Sequence, residues 1–224
     1  MKKNSFLLAA AFSILICGNV FAQKKFTEGT IQYTMDITSG DADGMVAAMM
    51  PKEMTVKIKG TKSRSEMELG MMGTTVTITD QKTNTGTVLI DMMGNKYALN
   101  ISPEDMKSQT ESMPQFDIEE STEVKQIAGY KCNKAVMTNK STKEKLTIYY
   151  TKDLPYYSNN LNAQFAQIKG MPMEFTANMQ GIEMVIRVKS ITAEKISDDL
   201  FNIPADYKVT TQEEMMRDMM GGGE

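Results

Sequence analysis

The sequence predicts a mainly β (α+β) fold, namely a curved antiparallel half-barrel of about ten strands lidded by a few short helices. Apolar and polar residues alternate with period two through most of the chain, which is typical of half-buried strands. Turn-forming Gly, Asn and Asp residues separate many of these segments. No repeat of roughly 20–50 residues and no regular alternation of strands and helices is visible, which disfavours solenoids and parallel α/β sheets.

Ten segments carry the strand pattern. The first, 29–37, places Ile31, Tyr33, Met35 and Ile37 on one face. The other nine are 54–59, 66–69, 74–79, 86–92, 96–101, 130–138, 145–151, 172–179 and 182–191. Hairpin turns are expected at 84–86, 93–95 and 180–181, where Gly follows or precedes a polar residue.

Four short segments favour helices. Ser102 followed by Pro103 and Asp105 is typical of a capped helix start, and we expect this helix to end near Ser112. A second capping box opens at Thr211, with a Gly run after the helix. Apolar spacing of four and three suggests a helical turn over 159–169, and 43–50 is the fourth segment. These helices are expected on the concave side of the sheet.

The first 22 residues are typical of a secretory signal peptide. Lys2 and Lys3 precede an apolar run, and Val20-Phe-Ala22 fits the cleavage pattern, which predicts a periplasmic or secreted protein cut after Ala22. The run is too short for a transmembrane segment, since about 20 residues are needed. A lipid anchor at Cys17 is the alternative, although Ile16 is a poor residue before a lipidated Cys.

Composition excludes several classes of function. The chain of 224 residues has no His, which removes Ser-His-Asp and Cys-His catalysis and most zinc sites. The net charge of −3 disfavours nucleic acid as a partner. Adjacent acids such as Glu119-Glu120 and Asp198-Asp199 point to opposite sides of a strand, so we interpret them as solvated. We therefore expect no catalytic residues, no metal and no cofactor, in a protein that is not an enzyme.

Methionine is unusually common, with 22 residues. Met is an adaptable apolar side chain, so core packing or the lining of a plastic cavity is the ordinary interpretation. Soft thioethers also suit Cu(I), which is the minor alternative. Cys132 is expected to be a buried small hydrophobe, with a reactive thiol or an intermolecular disulfide as alternatives.

Four motifs carry a resemblance to a known family. They are Phe26-x-x-Gly29-x-Ile31-x-Tyr33, Ile127-Ala-Gly-Tyr-Lys-Cys-Asn-Lys-Ala135, Leu146-x-Ile-Tyr-Tyr-Thr-x-Asp-Leu154 and Leu200-Phe-x-Ile-Pro-x-x-Tyr-Lys208. Together they resemble a secreted gram-negative domain family of unknown function with a LolA/LolB-like fold, related to the GLPGLI family. The segment Ile168-Lys-Gly-Met-Pro-Met173 takes the place of that family's Gly-Leu-Pro-Gly-Leu-Ile motif, with Met171 and Met173 in the apolar slots.

The resemblance implies an unclosed barrel with helices over an apolar cavity that carries acyl chains. LolA depends on an arginine in this cavity, and none of Arg64, Arg187 and Arg217 can be matched to it. The resemblance therefore implies the fold, and carrying of lipid only by analogy.

The expected organisation is a signal peptide (1–22), a β domain (23–208) and a Met-rich helical tail with a Gly run (209–224). The expected function is a non-enzymatic periplasmic or envelope protein that binds or carries an apolar ligand, such as an acyl chain or a hydrophobic segment. The alternative is an envelope interaction or scaffold protein that docks a protein partner and has no small ligand. The residues expected to line the apolar cavity or its mouth are Tyr33, Met35, Met67, Leu69, Tyr149, Phe165, Met171, Met173 and Phe175.

Overall fold

The structure is a computed structural model that describes residues 26–39, 50–92, 94–157, 162–179 and 181–220. The predicted signal peptide and most of the predicted helix at 43–50 lie outside these residues. The strands are β1 (Glu28–Ser39), β2 (Glu53–Lys59), β3 (Lys62–Glu68), β4 (Thr74–Asp80), β5 (Thr85–Met92), β6 (Asn95–Ile101), β7 (Phe116–Ile127), β8 (Tyr130–Asn139), β9 (Lys145–Thr151), β10 (Met171–Met179), β11 (Ile182–Thr192) and β12 (Lys208–Thr210). The helices are α1 (Pro103–Glu111) and α2 (Gln212–Met219), with 3-10 turns at Gly70–Met72, Ala163–Phe165 and Asp198–Phe201.

All the strands belong to one twelve-stranded sheet in the order β12-β6-β5-β4-β3-β2-β1-β11-β10-β9-β8-β7. Every neighbouring pair is antiparallel except β12 and β6, which are parallel. β12 and β7 are the two edges, so the described sheet is open. The predicted class, a mainly β protein built on a curved antiparallel sheet, is confirmed.

Two of the twelve strands were not predicted from the sequence pattern. β7 is exposed over most of its length and carries Glu, Ser and Thr on both faces, so it lacks the alternation of a half-buried strand. β12 has three residues and is too short to show a period. It extends the sheet through Thr210, two residues past the expected end of the β domain. The helix expected over 159–169 is a single 3-10 turn at Ala163–Phe165 in the described residues.

The main core lies on one face of the sheet and contains the inward residues of β1, β2 and β8–β11. Register explains this, because Ile31 pairs with Val56 and Met35 pairs with Ile186, so the predicted apolar faces align across the strands. The segment after β9 is part of the same cluster. Its buried residues are Leu154, Tyr157, Phe165 and Ile168.

A second, smaller core lies on the opposite face. Ser65 of β3 pairs with Thr77 on the face of the main core, so Val76 and Ile78 of β4 point to the other side. There they form a buried cluster with residues of β5 and β6 and with Ile196 and Phe201, which follow β11. The chain after β11 therefore packs on the face that the main core does not use.

A buried carboxylate lies on the polar side of the sheet. The side chain of Glu174 on β10 is 12% exposed and accepts a hydrogen bond of 2.6 Å from the Nζ of Lys125. The Nε of Arg187 donates a second hydrogen bond. Burial alone would raise the pKa of Glu174, but the hydrogen bonds and charges of the two cations outweigh it and lower the pKa.

We predict that this pairing makes stability depend on pH. The folded pKa of Glu174 is lowered from its unfolded value, so its contribution to stability is present above the unfolded pKa and is lost as pH falls through the folded pKa. Glu174→Gln should lower the free energy of unfolding at pH 7 by about 2 kcal/mol, since it weakens charge-assisted hydrogen bonds while Lys125 and Arg187 stay partly exposed to water. It should also flatten the acid limb of the pH profile. Urea unfolding between pH 3 and pH 7 measures both effects.

Glu53→Gln is the matched control, because Glu53 also pairs with a cation, Lys189, but its side chain is 63% exposed. An exposed pair contributes less than about 1 kcal/mol. Equal losses in the two variants would show that burial of Glu174 does not matter.

Candidate functional site

A groove of about 740 Å³ opens where β5, β6 and β12 meet both helices. We call it the helix groove. Its floor is formed by Val88 of β5 and by Leu99 and Ile101 of β6, all half-buried. Val88 pairs with Leu99 on the same face of the sheet as the main core. Pockets of about 300–1,000 Å³ are typical of small-molecule sites, so the helix groove is large enough for an alkyl chain.

Helix α1 supplies one wall of the groove. The Oγ of Ser102 accepts a hydrogen bond from the backbone N–H of Asp105, and the carboxylate of Asp105 accepts one of 3.0 Å from the backbone N–H of Ser102. This is the predicted capping box, with Pro103 at the first helical position. Asp105 and Gln109, one turn apart, line the groove, and no residue of α1 is buried.

Helix α2 and the end of β12 supply the other wall. Thr211 caps the helix and forms a capping box with Glu214, as predicted. The Oγ1 of Thr210 donates a hydrogen bond of 2.8 Å to Glu214, and the Nζ of Lys208 lies 2.6 Å from the carboxylate of Asp218. These two contacts fold α2 back against β12. No residue of α2 is buried either.

The polar rim of the groove is negatively charged. Hydrogen bonds from the side chain and backbone of Ser102 lower the pKa of Asp105. Hydrogen bonds from the side chain of Thr210 and the backbone of Thr211 lower the pKa of Glu214. Both rim carboxylates are therefore ionised at neutral pH and disfavour an anionic group at the entrance.

Two other pockets are smaller and more polar. One, of about 540 Å³, lies at the β4–β5 turn and is lined mainly by Thr, Asn and Asp side chains. The other, of about 470 Å³, contains Glu53, Glu66 and Glu68. In the described part of the chain, no group of three or more His, Cys, Asp or Glu residues is arranged to hold a metal ion. No helix among the described residues is long and apolar enough to cross a membrane.

The residues predicted to form the apolar cavity or mouth are mostly in the main core. Tyr33, Met35, Phe165, Met171, Met173 and Phe175 belong to this single buried cluster. The rings of Phe165 and Phe175 pack edge-to-face with their centroids 4.8 Å apart. An open mouth would leave such side chains partly exposed, whereas these six are buried against one another. Their role as the lining of a cavity or mouth stays a prediction.

The other three predicted residues are half-buried. Met67 packs at the margin of the main core. Leu69 directly precedes the 3-10 turn at Gly70–Met72. Tyr149 also packs against the main core, while its hydroxyl donates to Glu123 and the ammonium of Lys125 lies 5.0 Å from its ring centroid. The structure does not bring these three residues together with the helix groove.

The groove residues Val88, Leu99 and Ile101 were not among the site residues predicted from the sequence. A signal was present, because β5 and β6 contain adjacent apolar residues that must point to opposite faces. Val88-Leu89 and Ala98-Leu99 are such pairs, and in each pair one residue joins the second core while the other lines the groove.

Cys132 is a free, fully buried thiol, as predicted. Burial raises its pKa to about 11, so it stays protonated at neutral pH. A buried, protonated thiol is a poor nucleophile and cannot reach another chain, which argues against the intermolecular disulfide.

The chain belongs to the family described as a domain of unknown function (DUF4412), which matches residues 44–207. This agrees with the expected membership of a domain family without an assigned function. Kinship with the GLPGLI family and a LolA/LolB-like role stay predictions. No curated protein sequence matches the chain.

Solved structures show a similar fold at low identity. PNGF-II in a C2 crystal form has a TM-score of 0.52 and 15% identity, and the match covers 86% of this chain and 32% of that one. The P21 form of PNGF-II has a TM-score of 0.51 and 16% identity, and the match covers 87% of this chain and 33% of that one. The chain thus spans about a third of the length of PNGF-II. LprF from Mycobacterium bovis is 8% identical with a TM-score of 0.35, and the match covers 81% of this chain and 90% of LprF.

We predict that a charge placed at 173 abolishes folding. The side chain of Met173 is 0% exposed, and an unpaired carboxylate there has no water or partner, so Met173→Asp should cost more than about 4 kcal/mol. Met216→Asp is the matched control, because Met216 is exposed and the same change should cost about 0.5 kcal/mol or less. Thermal unfolding followed by circular dichroism compares them. If Met173→Asp melted at the same temperature as the wild type, the result would support an exposed cavity mouth at this position.

Proposed function

We propose that the protein is a non-enzymatic envelope protein that binds an apolar ligand in the helix groove. One observation carries the proposal. Val88, Leu99 and Ile101 form an aliphatic floor that stays half-exposed between two helices, on the face of the sheet that elsewhere holds the main core. Aliphatic side chains of a sheet are normally covered by other parts of the chain. A ligand that covers these three would be stabilised by the hydrophobic free energy of removing their exposed surface from water.

The volume and the chemistry set the size of ligand. A buried methylene contributes about 0.8 kcal/mol, so roughly ten methylenes supply about 8 kcal/mol before the entropic cost of binding is subtracted. That total corresponds to an affinity no tighter than about micromolar. An alkyl or acyl chain of this length fits a groove of about 740 Å³.

The two helices that form the walls of the groove can move without disturbing the packing of the main core. Neither α1 nor α2 has a buried residue, and α2 is held to β12 by a hydrogen bond from Thr210 to Glu214 and an ion pair between Lys208 and Asp218. Segments with few buried contacts open locally at low free energy. The groove can therefore widen for chains of different length while the sheet stays intact.

The charge of the rim selects the polar end of the ligand. The ionised carboxylates of Asp105 and Glu214 repel a free fatty acid and accept a neutral ester, amide or hydroxyl, or a cation. The preferred ligand of this proposal is an acyl chain with an uncharged polar end. The predicted signal peptide would deliver the protein to a compartment where such lipids are abundant.

The test is titration with a fluorescent monoacylglycerol analogue. We expect saturable binding at micromolar concentration, and Leu99→Asp should weaken it at least tenfold because a charge then meets the alkyl chain. Leu146→Asp is the matched control, since Leu146 is also half-buried on a strand but packs against the main core, far along the sheet order on β9. Melting curves of both variants show whether they remain folded.

Each result decides between the alternatives. No saturable binding by the wild type would overturn the proposal and favour the scaffold interpretation, with a protein partner. Equal weakening by Leu99→Asp and Leu146→Asp would move the ligand away from the groove. Tighter binding of a fluorescent fatty acid than of the neutral probe would contradict the role of the rim carboxylates.

A further inference from the structure

Helix α2 exposes thioether groups that a folded chain normally buries. Met216, Met219 and Met220 are 53%, 48% and 87% exposed. Elsewhere methionine fills the core, as at Met54, Met137, Met173 and Met184. Half of the exposed large hydrophobic residues in the described chain are thus methionines at the end of one eight-residue helix.

The three side chains occupy one face of the helix. At about 100° per residue, Met216, Met219 and Met220 fall within an arc of about 100°. Residues three and four positions apart have Cβ atoms about 5–6 Å apart, and the unbranched Met side chain can bring its sulfur towards a common point above them. The face can therefore offer three sulfur ligands to one ion.

The helix as a whole carries a net negative charge, which favours a cation. Glu213, Glu214 and Asp218 outnumber Arg217, the one basic residue of α2. The methionines lie in the last turn, at the negative end of the helix dipole, where a positive charge is stabilised. The same negative charge opposes docking of this exposed apolar helix face onto an anionic membrane.

We propose that Met216, Met219 and Met220 form a binding site for Cu(I) on α2. Thioethers are soft ligands that prefer Cu(I) to harder cations such as Ca²⁺, Mg²⁺ or Zn²⁺. The chain has no His that could draw the ion elsewhere, and its Cys132 is buried and protonated. Binding involves no change of oxidation state, because the ion enters and leaves as Cu(I). The site lies outside the helix groove and does not depend on the apolar ligand.

The test uses the whole mature chain and Ag(I), which shares the charge and soft-ligand preference of Cu(I) but is not readily oxidised. We expect one Ag(I) to bind at micromolar concentration or tighter in competition with a chromogenic chelator, and to shift the methyl NMR signals of the three methionines first. The triple variant Met216→Leu, Met219→Leu, Met220→Leu keeps the apolar helix face and removes the sulfurs. It should bind at least tenfold more weakly.

A second triple variant controls for methionine number. Met50, Met106 and Met113 are half-buried and lie elsewhere in the chain, so changing all three to Leu removes as many sulfurs without touching α2. This control should bind Ag(I) like the wild type. Equal losses in both triple variants, wild-type binding by the α2 variant, or no binding by the wild type would each overturn the proposal. The neutral lipid probe should bind the α2 triple variant unchanged, which separates this site from the groove.

Discussion

The pairing of β1 with β2 and β11 is the interaction on which the rest of the structure depends. β1 is an early strand of the described chain and β11 a late one, so their ladder joins the β2–β6 half of the sheet to the β7–β11 half. Gly29 permits the close approach at its start, since a Cβ there would lie 2.2 Å from the carbonyl oxygen of Thr192, in a backbone conformation with φ of +152°. Without this ladder each half would expose a strand edge in the middle of its own core.

A sheet this wide has more face than one short chain can cover, and this explains where the groove lies. The segment between β9 and β10 joins the main core under β1, β2 and β8–β11, whereas the segment after β11 crosses to the opposite face beneath β4–β6. On the main-core face of β5 and β6 lie two capped helices, neither of which has a buried residue of its own. The groove forms because the segments that pack over the sheet lie elsewhere. Val88 and Leu99 therefore remain half-exposed, although they have the alternation that is typical of core residues.

Sequence alone predicted the local structure well and the placement of the site poorly. Alternation located ten strands and capping boxes located both helices, because these signals act within a few residues. Whether an apolar strand face is covered depends on segments that are distant in the chain. The sequence therefore could not show that Met171 and Met173 are buried in the core whereas Leu99 lines a groove. β7 was missed for a physical reason as well: an edge strand with charge on both faces resists pairing with other chains and thereby loses the alternation that would reveal it.

The two edges of the open sheet differ, and the difference explains why the proposed ligand site and the proposed ion site both lie near β12. At the β7 edge, Glu120, Glu123 and Lys125 pair with Lys152, Lys134 and Glu174, so the polar groups there satisfy one another. At the β12 edge, the polar groups of Asp105 and Glu214 are used to cap helices, and the apolar groups beside them have no such partner. Apolar surface that remains exposed at a sheet edge can bind either another copy of the chain or a ligand. The net negative charge of α2 and of the groove rim repels a second copy of the same edge, so a neutral apolar molecule and a soft cation are the occupants that this edge favours.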